Sequence, residues 1–288
     1  MSLLALILII ISAFMHATWN YLAKRSQGGL AFVWLYMAVS TVIYAPFVIG
    51  MFIWQPFHIG WVGWAFIIGS AVIHLVYALT LQKGYKIGDL SLVYPVARGT
   101  GPLIVAVAAV FIYAETLTPL SVIGIILITI SIFIITGGVQ ALKQKSAFVP
   151  LLYGLLIGIL IASYTLVDKG AVSIAHIPPL LLTYGGMIGQ LLFLTPFAVR
   201  RWNDVRYDWQ YHRKEAIGVG ILMQLAYILV LTAMTFTQVS HVAPVREMSI
   251  LIGTVMGTRL LAEGFGRRRI ISAIIMVLGV IAVALADG

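Results

Sequence analysis

The sequence predicts an all-α integral membrane protein with ten transmembrane helices, arranged as two inverted five-helix repeats. Of its 288 residues, 61% are hydrophobic and 9% are charged, whereas a soluble domain carries about 25% charged residues. The apolar runs are about 20 residues long, enough for a helix to cross a hydrocarbon core of about 30 Å. They lack the alternation of a barrel wall. The two halves of the chain also resemble each other.

Apolar windows bounded by charges or turn residues define the ten spans. No stretch is left over for a soluble domain, and the first span is expected to be retained because the start lacks the pattern of a cleaved signal peptide. With no cysteine in the chain, thiolate nucleophiles and cysteine-based metal sites are excluded. The predicted spans are 3–23, 30–54, 61–82, 89–113, 117–137, 149–168, 178–199, 216–237, 240–262 and 269–286.

The basic residues predict the topology. Counting the connections along the chain, the odd-numbered ones hold 14 of the 18 lysines and arginines, so the positive-inside rule places them in the cytoplasm and both termini outside. The net charge of +9 is thereby explained without nucleic acid. The longest connection, residues 200–215, is basic and aromatic, which is typical of a membrane-surface segment. The 14 are Lys24, Arg25, Lys83, Lys86, Lys143, Lys145, Arg200, Arg201, Arg206, Arg213, Lys214 and Arg267, Arg268 and Arg269.

An internal repeat relates the two halves. SLVYPVARGTGPL, residues 91–103, matches SHVAPVREMSILIG, residues 240–253. HLVYALTL from His74 matches QLAYILVL from Gln224, and weaker matches occur at similar offsets, including Lys24 with Lys169. The predicted repeats are residues 1–140 and 141–288. Five spans in each half invert the second half, an arrangement that recurs in secondary transporters.

Prolines and glycines predict irregular helices in corresponding places of the two halves. Pro95 and Pro102 each remove a backbone donor from span four, and Pro244 does so in span nine. Span four is therefore expected to be irregular at mid-depth. GTVMG, residues 253–257, is a small-residue face suited to close helix packing. Paired irregular segments indicate a midplane binding site, although prolines also kink transmembrane helices that have no such role.

Charges inside the spans point to the same region. Arg98 lies in span four, and Arg246 and Glu247 lie in span nine. The repeat register aligns Arg98 with Glu247, so the two are expected near the pseudo-two-fold axis. One interpretation is a structural ion pair between the spans. The other is a substrate-binding set, whose net positive charge suits an anionic or zwitterionic ligand.

Polar and aromatic stripes on three other spans predict further cavity residues. Helical spacing puts His16, Trp19 and Asn20 on one face of span one. Similar stripes occur on spans three and eight, and polar faces turn away from lipid. Hydrogen bonding between helices and anchoring at the interface are the alternatives. The predicted substrate-binding set is His16, Trp19, Asn20, His74, Tyr77, Tyr94, Arg98, Gln224, Tyr227, Arg246 and Glu247.

Other ionisable residues receive weaker predictions. Glu247 and His16 are the expected intramembrane proton carriers, since burial can move the pKa of either group toward neutrality. Glu115 and Glu263 lie at span ends, where helix capping, gating and substrate contact explain them equally well. Asp168 and Lys169 are interpreted as an interfacial pair.

These residues and motifs resemble the EamA family of the drug/metabolite transporter (DMT) superfamily over nearly the whole chain. The resemblance is carried by HATWN (16–20), YPVARGTGPL (94–103), APVREMS (243–249) and the glutamate before the last span of each half. HATWN with YPVARG is similar to a branch with members labelled as phosphonate-utilisation associated. The resemblance implies a central cavity lined by spans 1, 3, 4, 6, 8 and 9. Relatives often carry a basic connection after span two, which QPFHIG (55–60) lacks.

The expected function is secondary active transport of a small organic metabolite by alternating access, driven by protons or by the solute gradient. A flippase for a lipid-linked substrate is the alternative, and a membrane-embedded enzyme or a sensor subunit fits less well, because no HExxH, paired acidic or Walker motif occurs. No cofactor and no metal are expected. The expected partners are the substrate and the lipid bilayer, with a homodimer left open. The expected location is the bacterial cytoplasmic (inner) membrane.

Overall fold

The computed structural model describes residues 1–26, 29–54, 58–87, 90–136, 148–261 and 267–286. These ranges are almost entirely α-helical and contain no strand. Their helices, numbered in chain order, are α1 (Leu3–Ser26), α2 (Leu30–Trp54), α3 (Trp61–Ile87), α4 (Leu90–Ile112), α5 (Pro119–Thr136), α6 (Phe148–Ser173), α7 (Pro179–Arg200), α8 (Trp202–Phe236), α9 (Val239–Arg246), α10 (Met248–Leu261) and α11 (Arg267–Leu285).

The helices follow the predicted spans. Helices α1–α8 correspond to spans one to eight, α9 and α10 together form span nine, and α11 is span ten. Among the described helices, eight are long and apolar enough to cross a membrane. The predicted all-α membrane fold is therefore confirmed.

Helix α8 begins earlier than predicted. It runs from Trp202 to Phe236, with a kink at His212, where φ is −124° and ψ is 20°. Span eight was predicted to start at residue 216, so the basic connection is itself helical. Trp202, Tyr207 and Tyr211 are exposed along this first part of α8, and its position at the membrane surface stays a prediction.

The expected irregularity breaks the helix in span nine but not in span four. Glu247 separates α9 from α10, one turn after Pro244, which cannot donate a helical hydrogen bond. In span four, α4 is one helix from Leu90 to Ile112 that contains Pro95 and Pro102, and an irregularity within it stays a prediction. A transmembrane helix tolerates proline when its neighbours satisfy the freed carbonyl groups.

The packing of α5 against α11 shows the pseudo-two-fold relation. A Cβ atom added at Gly124 would lie 2.7 Å from the carbonyl oxygen of Gly279. Seven residues along α5, the hydroxyl of Ser131 donates to the carbonyl of Ser272 at 2.8 Å. One offset of 148 residues relates Gly124 to Ser272 and Ser131 to Gly279. Each contact is therefore the symmetry copy of the other, as in a self-complementary interface.

The remaining helices surround the centre of the bundle in equivalent pairs. Helix α1 packs on α8 and α10, while α6 packs on α3 and α4. The amino group of Met1 donates to the carbonyl of Ala284 at 3.0 Å, so both chain ends lie on one side of the bundle. We call this side the terminal face. On the opposite side, the basic face, Arg25 lies 3.5 Å from Glu215.

Small residues bring α4 and α6 close enough to enclose the central region. A Cβ atom at Gly154 would lie 2.7 Å from the Cβ of Val96, and one at Gly101 would lie 2.9 Å from Ile161. Of the predicted small-residue face, Gly253 is in ordinary contact range of Ala17 at 3.8 Å, a looser approach than those in α4 and α6.

Candidate functional site

A cavity of about 340 Å³ lies at the centre of the bundle. It is lined by α1, α3, α4, α6, α8 and α9, as the family resemblance implied, and also by α7 and by Met37 of α2. Asn20 lines the cavity and is exposed. Asn20 lies in the half of α1 that ends on the basic face.

Three buried charges meet on one wall of the cavity. The Nε atom of Arg98 lies 2.8 Å from Oε2 of Glu247, and the Nε atom of Arg246 lies 3.9 Å from Oε1. Arg98 also donates to the hydroxyl of Ser249 at 3.5 Å and to the hydroxyl of Tyr94. The predicted pairing of Arg98 with Glu247 is confirmed as geometry. The cluster carries a net charge of +1.

The helix break at Glu247 explains how a carboxylate comes to lie between two arginines. The backbone N–H of Glu247 donates to the carbonyl of Pro244 at 3.0 Å, and a shorter hydrogen-bonding step of this kind tightens the last turn of a helix. Glu247 is fully buried and lies behind the cavity wall, whereas both arginines line the cavity. Any ligand in the cavity therefore meets the guanidinium groups and not the carboxylate.

Three buried donors on the cavity wall have no hydrogen-bond partner in the part of the chain that the structure describes: Nη2 of Arg246, Nε1 of Trp19 and Nε of Arg98. Nε of Arg98 lies in the ion pair with Glu247, so only the first two lack any partner of this kind. His16 packs edge-on against Trp19, with 4.9 Å between ring centroids. A buried donor without a partner is unfavourable by about 1–3 kcal/mol. Acceptor groups of a ligand would remove this cost by accepting hydrogen bonds from Nη2 of Arg246 and Nε1 of Trp19.

Aromatic side chains form another part of the cavity wall. His74 stacks on Tyr164 with ring centroids 4.1 Å apart, and Tyr77 meets Tyr164 edge-on at 5.4 Å. Tyr227 lies edge-on to His74 at 5.7 Å. All four residues line the cavity. The stripes predicted for spans three and eight therefore meet each other beside Tyr164 of α6.

Asp168 lies behind this aromatic wall and does not pair with Lys169. Its side chain is fully buried and accepts a hydrogen bond from the hydroxyl of Tyr227. The prediction of an interfacial pair was wrong. Neighbours along a helix point about 100° apart, so Asp168 faces the cavity wall and Lys169 faces the end of α8.

The terminal face is closed by a clamp on the turn between α8 and α9. The ammonium of Lys169 donates to the carbonyls of Met234 at 2.7 Å and Thr237 at 3.0 Å. The carboxylate of Glu115 accepts from the backbone N–H groups of Val239 at 2.8 Å and Ser240 at 3.0 Å. A cation thus caps the end of α8 and an anion caps the start of α9, each the favourable sign for the helix dipole. Of the explanations open for Glu115, capping is the contact observed. Glu263 lies outside the described residues.

A second, larger hollow of about 810 Å³ lies between α2, α3 and α7. Its wall is formed mainly by apolar side chains such as Trp64, Ile68 and Phe193, and many of them are exposed. This is the character expected of a lipid-facing surface. The hollow and the central cavity share Gln190 of α7.

Ten of the eleven predicted site residues line the central cavity, and Glu247 lies behind it. That they bind substrate stays a prediction. Sequence reasoning missed the contribution of α7, although TYGGMIGQ carries a glutamine and small residues that could have indicated it. It also missed Tyr164 and Asp168. The described residues contain no cluster of potential metal ligands.

Comparison with known proteins places these features in a broader group. The sequence profile of the EamA-like transporter family matches the chain twice, at residues 3–137 and 149–285. A solved structure titled "Crystal structure of protein" is 15% identical to the chain, with a TM-score of 0.72 over 98% of this chain and 97% of that one. It is among 26 matching chains of known structure, and at this identity the likeness concerns the fold alone. Curated proteins gave no match.

Proposed function

Because the chain belongs to the EamA-like transporter family, we propose that it is a secondary transporter that moves a small organic metabolite across the cytoplasmic membrane of a bacterium by alternating access. The preferred substrate carries an anionic group, either alone or as part of a zwitterion. Transport is driven by protons or by the gradient of the solute itself.

The unpartnered Nη2 atom of Arg246 is the observation that carries this proposal. This atom is buried on the wall of the cavity without a hydrogen-bond partner among the described residues. The charge of Arg98 is already balanced by Glu247 at 2.8 Å, so the positive charge of Arg246 is the one in excess. Guanidinium groups bind carboxylates and phosphates through two parallel hydrogen bonds. A volume of about 340 Å³ lies in the range of small-molecule sites.

The contacts that hold the terminal face and the exposure of Asn20 toward the basic face support alternating access, with the cavity opening at the basic face. Glu115 and Lys169 hold the α8–α9 turn, while Lys24, the repeat counterpart of Lys169, is exposed at the basic face. Two halves related by an inverted repeat can exchange conformations, which would close the basic face and open the terminal one. By the positive-inside rule, the present state faces the cytoplasm.

A thermal-shift screen tests the proposal. The purified protein in detergent is heated with amino acids, phosphonates, other organic anions and organic cations, beside Arg246→Gln and the control Arg25→Gln. Bound ligand stabilises the folded state in proportion to its occupancy. We expect an anion or zwitterion to raise the Tm of the wild type and of Arg25→Gln but not of Arg246→Gln. Stabilisation by cations alone, or equally in all three proteins, would overturn the anion site.

A hit then enters liposome uptake. We expect counterflow of the labelled compound in vesicles that contain the wild type, and loss of counterflow in Arg246→Gln. Tight binding without counterflow would contradict transport while leaving the anion site intact.

A further inference from the structure

We propose that His74 and Asp168 together form a proton-binding site, and that the proton bound there is co-transported with an anionic substrate. The proposal rests on the proposed function for its role in coupling, but the proton site itself is argued from geometry. The residues expected to carry protons, Glu247 and His16, are poorly placed for it. Glu247 is paired with Arg98, and His16 lines the same cavity as Arg98 and Arg246, two cations that oppose a third.

The contacts of His74 favour the tautomer that carries its hydrogen on Nδ1. The Nδ1 atom lies 3.0 Å from the backbone carbonyl oxygen of Ser70, and a carbonyl can only accept a hydrogen bond. The hydroxyl of Ser70, which could instead donate to Nδ1, lies further away, at 3.3 Å. In the favoured tautomer, the lone pair of a neutral imidazole is on Nε2.

The lone pair of Nε2 faces a carboxylate. Nε2 of His74 is 3.9 Å from Oδ2 of Asp168, and Oδ2 already accepts from the hydroxyl of Tyr227. The other oxygen, Oδ1, is buried without a hydrogen-bond partner in the described part of the chain. Two acceptors facing each other away from water repel, and one proton turns the repulsion into attraction. One proton bound between Nε2 and the carboxylate would therefore stabilise the pair.

Charged and titratable groups on the neighbouring helices surround this pair. Tyr164 of α6 stacks on the imidazole, and Tyr227 of α8 feels the charge of Arg246 from α9. Tyr113, at the end of α4, donates to the carbonyl of Leu166 and lies within reach of the charges of Glu115 and Asp168. Lys169 is occupied by carbonyl groups at the terminal face.

A proton from cavity water has a direct route to the site, because His74 lines the cavity. It adds to the Nε2 lone pair and forms an imidazolium that faces the carboxylate. Before this step, the buried charges of Arg98, Arg246, Glu247 and Asp168 sum to zero. Afterwards the sum is +1. The added positive charge strengthens the binding of an anion, and by linkage the anion strengthens the binding of the proton. Proton and anion therefore move together.

The proton site breaks the symmetry of the two halves. In the repeat register, His74 corresponds to Gln224 and Asp168 corresponds to Ala23, and neither counterpart titrates. Asp168 precedes Lys169, which holds the end of α8 at the closed face. The proton is therefore bound between the cavity and the terminal clamp, and only in one half.

Infrared spectroscopy with isotope-labelled histidine tests the site with protons as the only ligand. Spectra of the detergent-solubilised protein are recorded between about pH 5 and pH 9, where histidines titrate. We expect one histidine component to vanish in His74→Gln. The midpoint of that component should fall in Asp168→Asn, which loses the attracting carboxylate. The midpoint should rise in Tyr227→Phe. In this variant the carboxylate of Asp168 loses the hydrogen bond to its charged form, so it attracts a proton more strongly. His58→Gln, at an exposed position, should remove a different component.

The midpoint is expected to fall in Asp168→Asn and to rise in Tyr227→Phe, and these opposite shifts distinguish a proton site from a structural contact. If His74→Gln removes no component, or if the midpoint does not rise in Tyr227→Phe, the proposal is overturned. Tyr227→Phe keeps both members of the pair and decides the question even if Asp168→Asn fails to fold. The titration needs neither substrate nor transport, so the proton site can fail while transport stands, and the reverse.

Discussion

Several charged side chains of this protein are buried away from water. Which of them are paired decides which contribute to stability and which are available for function. Arg98, Arg246 and Glu247 are each less than a tenth exposed. Arg98 and Glu247 neutralise each other at 2.8 Å. Arg246 is a second cation for the same carboxylate, at 3.9 Å, and we expect its contribution to stability to be small or negative.

Replacing the two arginines should therefore give different results. In Arg98→Gln, Glu247 loses its close partner, and breaking a buried pair is destabilising by about 3–5 kcal/mol. In Arg246→Gln, the neutral pair remains, so the Tm should be unchanged or higher. Thermal unfolding of the purified variants in detergent measures both. Equal losses in the two variants would show that all three charges form one structural unit.

Hydrogen bonding decides the role of Asp168 at the same scale. Tyr227 donates to one oxygen of this carboxylate, Oδ2, and the other oxygen, Oδ1, has no hydrogen-bond partner in the described part of the chain. Oδ1 is therefore the atom of Asp168 that can take part in a further hydrogen bond without displacing Tyr227.

At the scale of helices, the clamp on the α8–α9 turn is the element that closes the terminal face. Lys169 and Glu115 satisfy the carbonyls of α8 and the N–H groups of α9, groups that helix ends leave unpaired. The clamp consists of hydrogen bonds only between side chains and backbone. It can therefore open without unfolding either helix.

Accessibility of a cavity residue from the terminal face reports on the clamp. Thr183 is 8% exposed and lines the cavity from α7, and the chain has no native cysteine. In Thr183→Cys, a membrane-impermeant maleimide added to intact cells should label slowly. Adding Glu115→Gln should raise labelling several-fold, because the amide NH₂ group repels the N–H groups of Val239 and Ser240. The matched change Glu215→Gln, on the basic face, should have no effect. Equal labelling with and without Glu115→Gln would show that the clamp does not close this face.

For the whole molecule, the inverted repeat relates the two faces of the bundle. The profile match in two parts and the symmetric contacts of α5 with α11 agree on two related halves. The predicted limits of the halves, residues 1–140 and 141–288, are not tested by these observations. A homodimer likewise stays a prediction.

Topology is a property of the whole chain and gives a direct prediction. The basic residues of the odd connections should keep that face in the cytoplasm. A green fluorescent protein fused to the C-terminus should therefore remain dark after export, and an alkaline phosphatase fused there should be active. Exchanging Arg267, Arg268 and Arg269 for glutamine should weaken this bias. A fluorescent C-terminal fusion to the wild type would reverse the assignment of the faces.

Much of the fold and part of the site could be predicted from the sequence. Apolar length gave the spans, because a helix must satisfy its own backbone in lipid. The repeat register placed Arg98 opposite Glu247, because a residue on a two-fold axis meets its own counterpart. Helical spacing put His16, Trp19 and Asn20 on one face. Each of these results depends only on order along the chain.

The tertiary structure alone decided the relations between helices that are far apart in sequence. The rotation of α6 about its axis turns Asp168 toward Tyr227, within α8, and Lys169 toward the C-terminal end of α8. Spacing within α6 cannot set that angle. Only the structure shows that Glu247 lies behind the arginines: both arginines line the cavity and Glu247 does not. The structure alone showed that α4 is one helix through its prolines. Sequence by itself therefore determined which residues are available in the membrane, while packing determined which of them face one another.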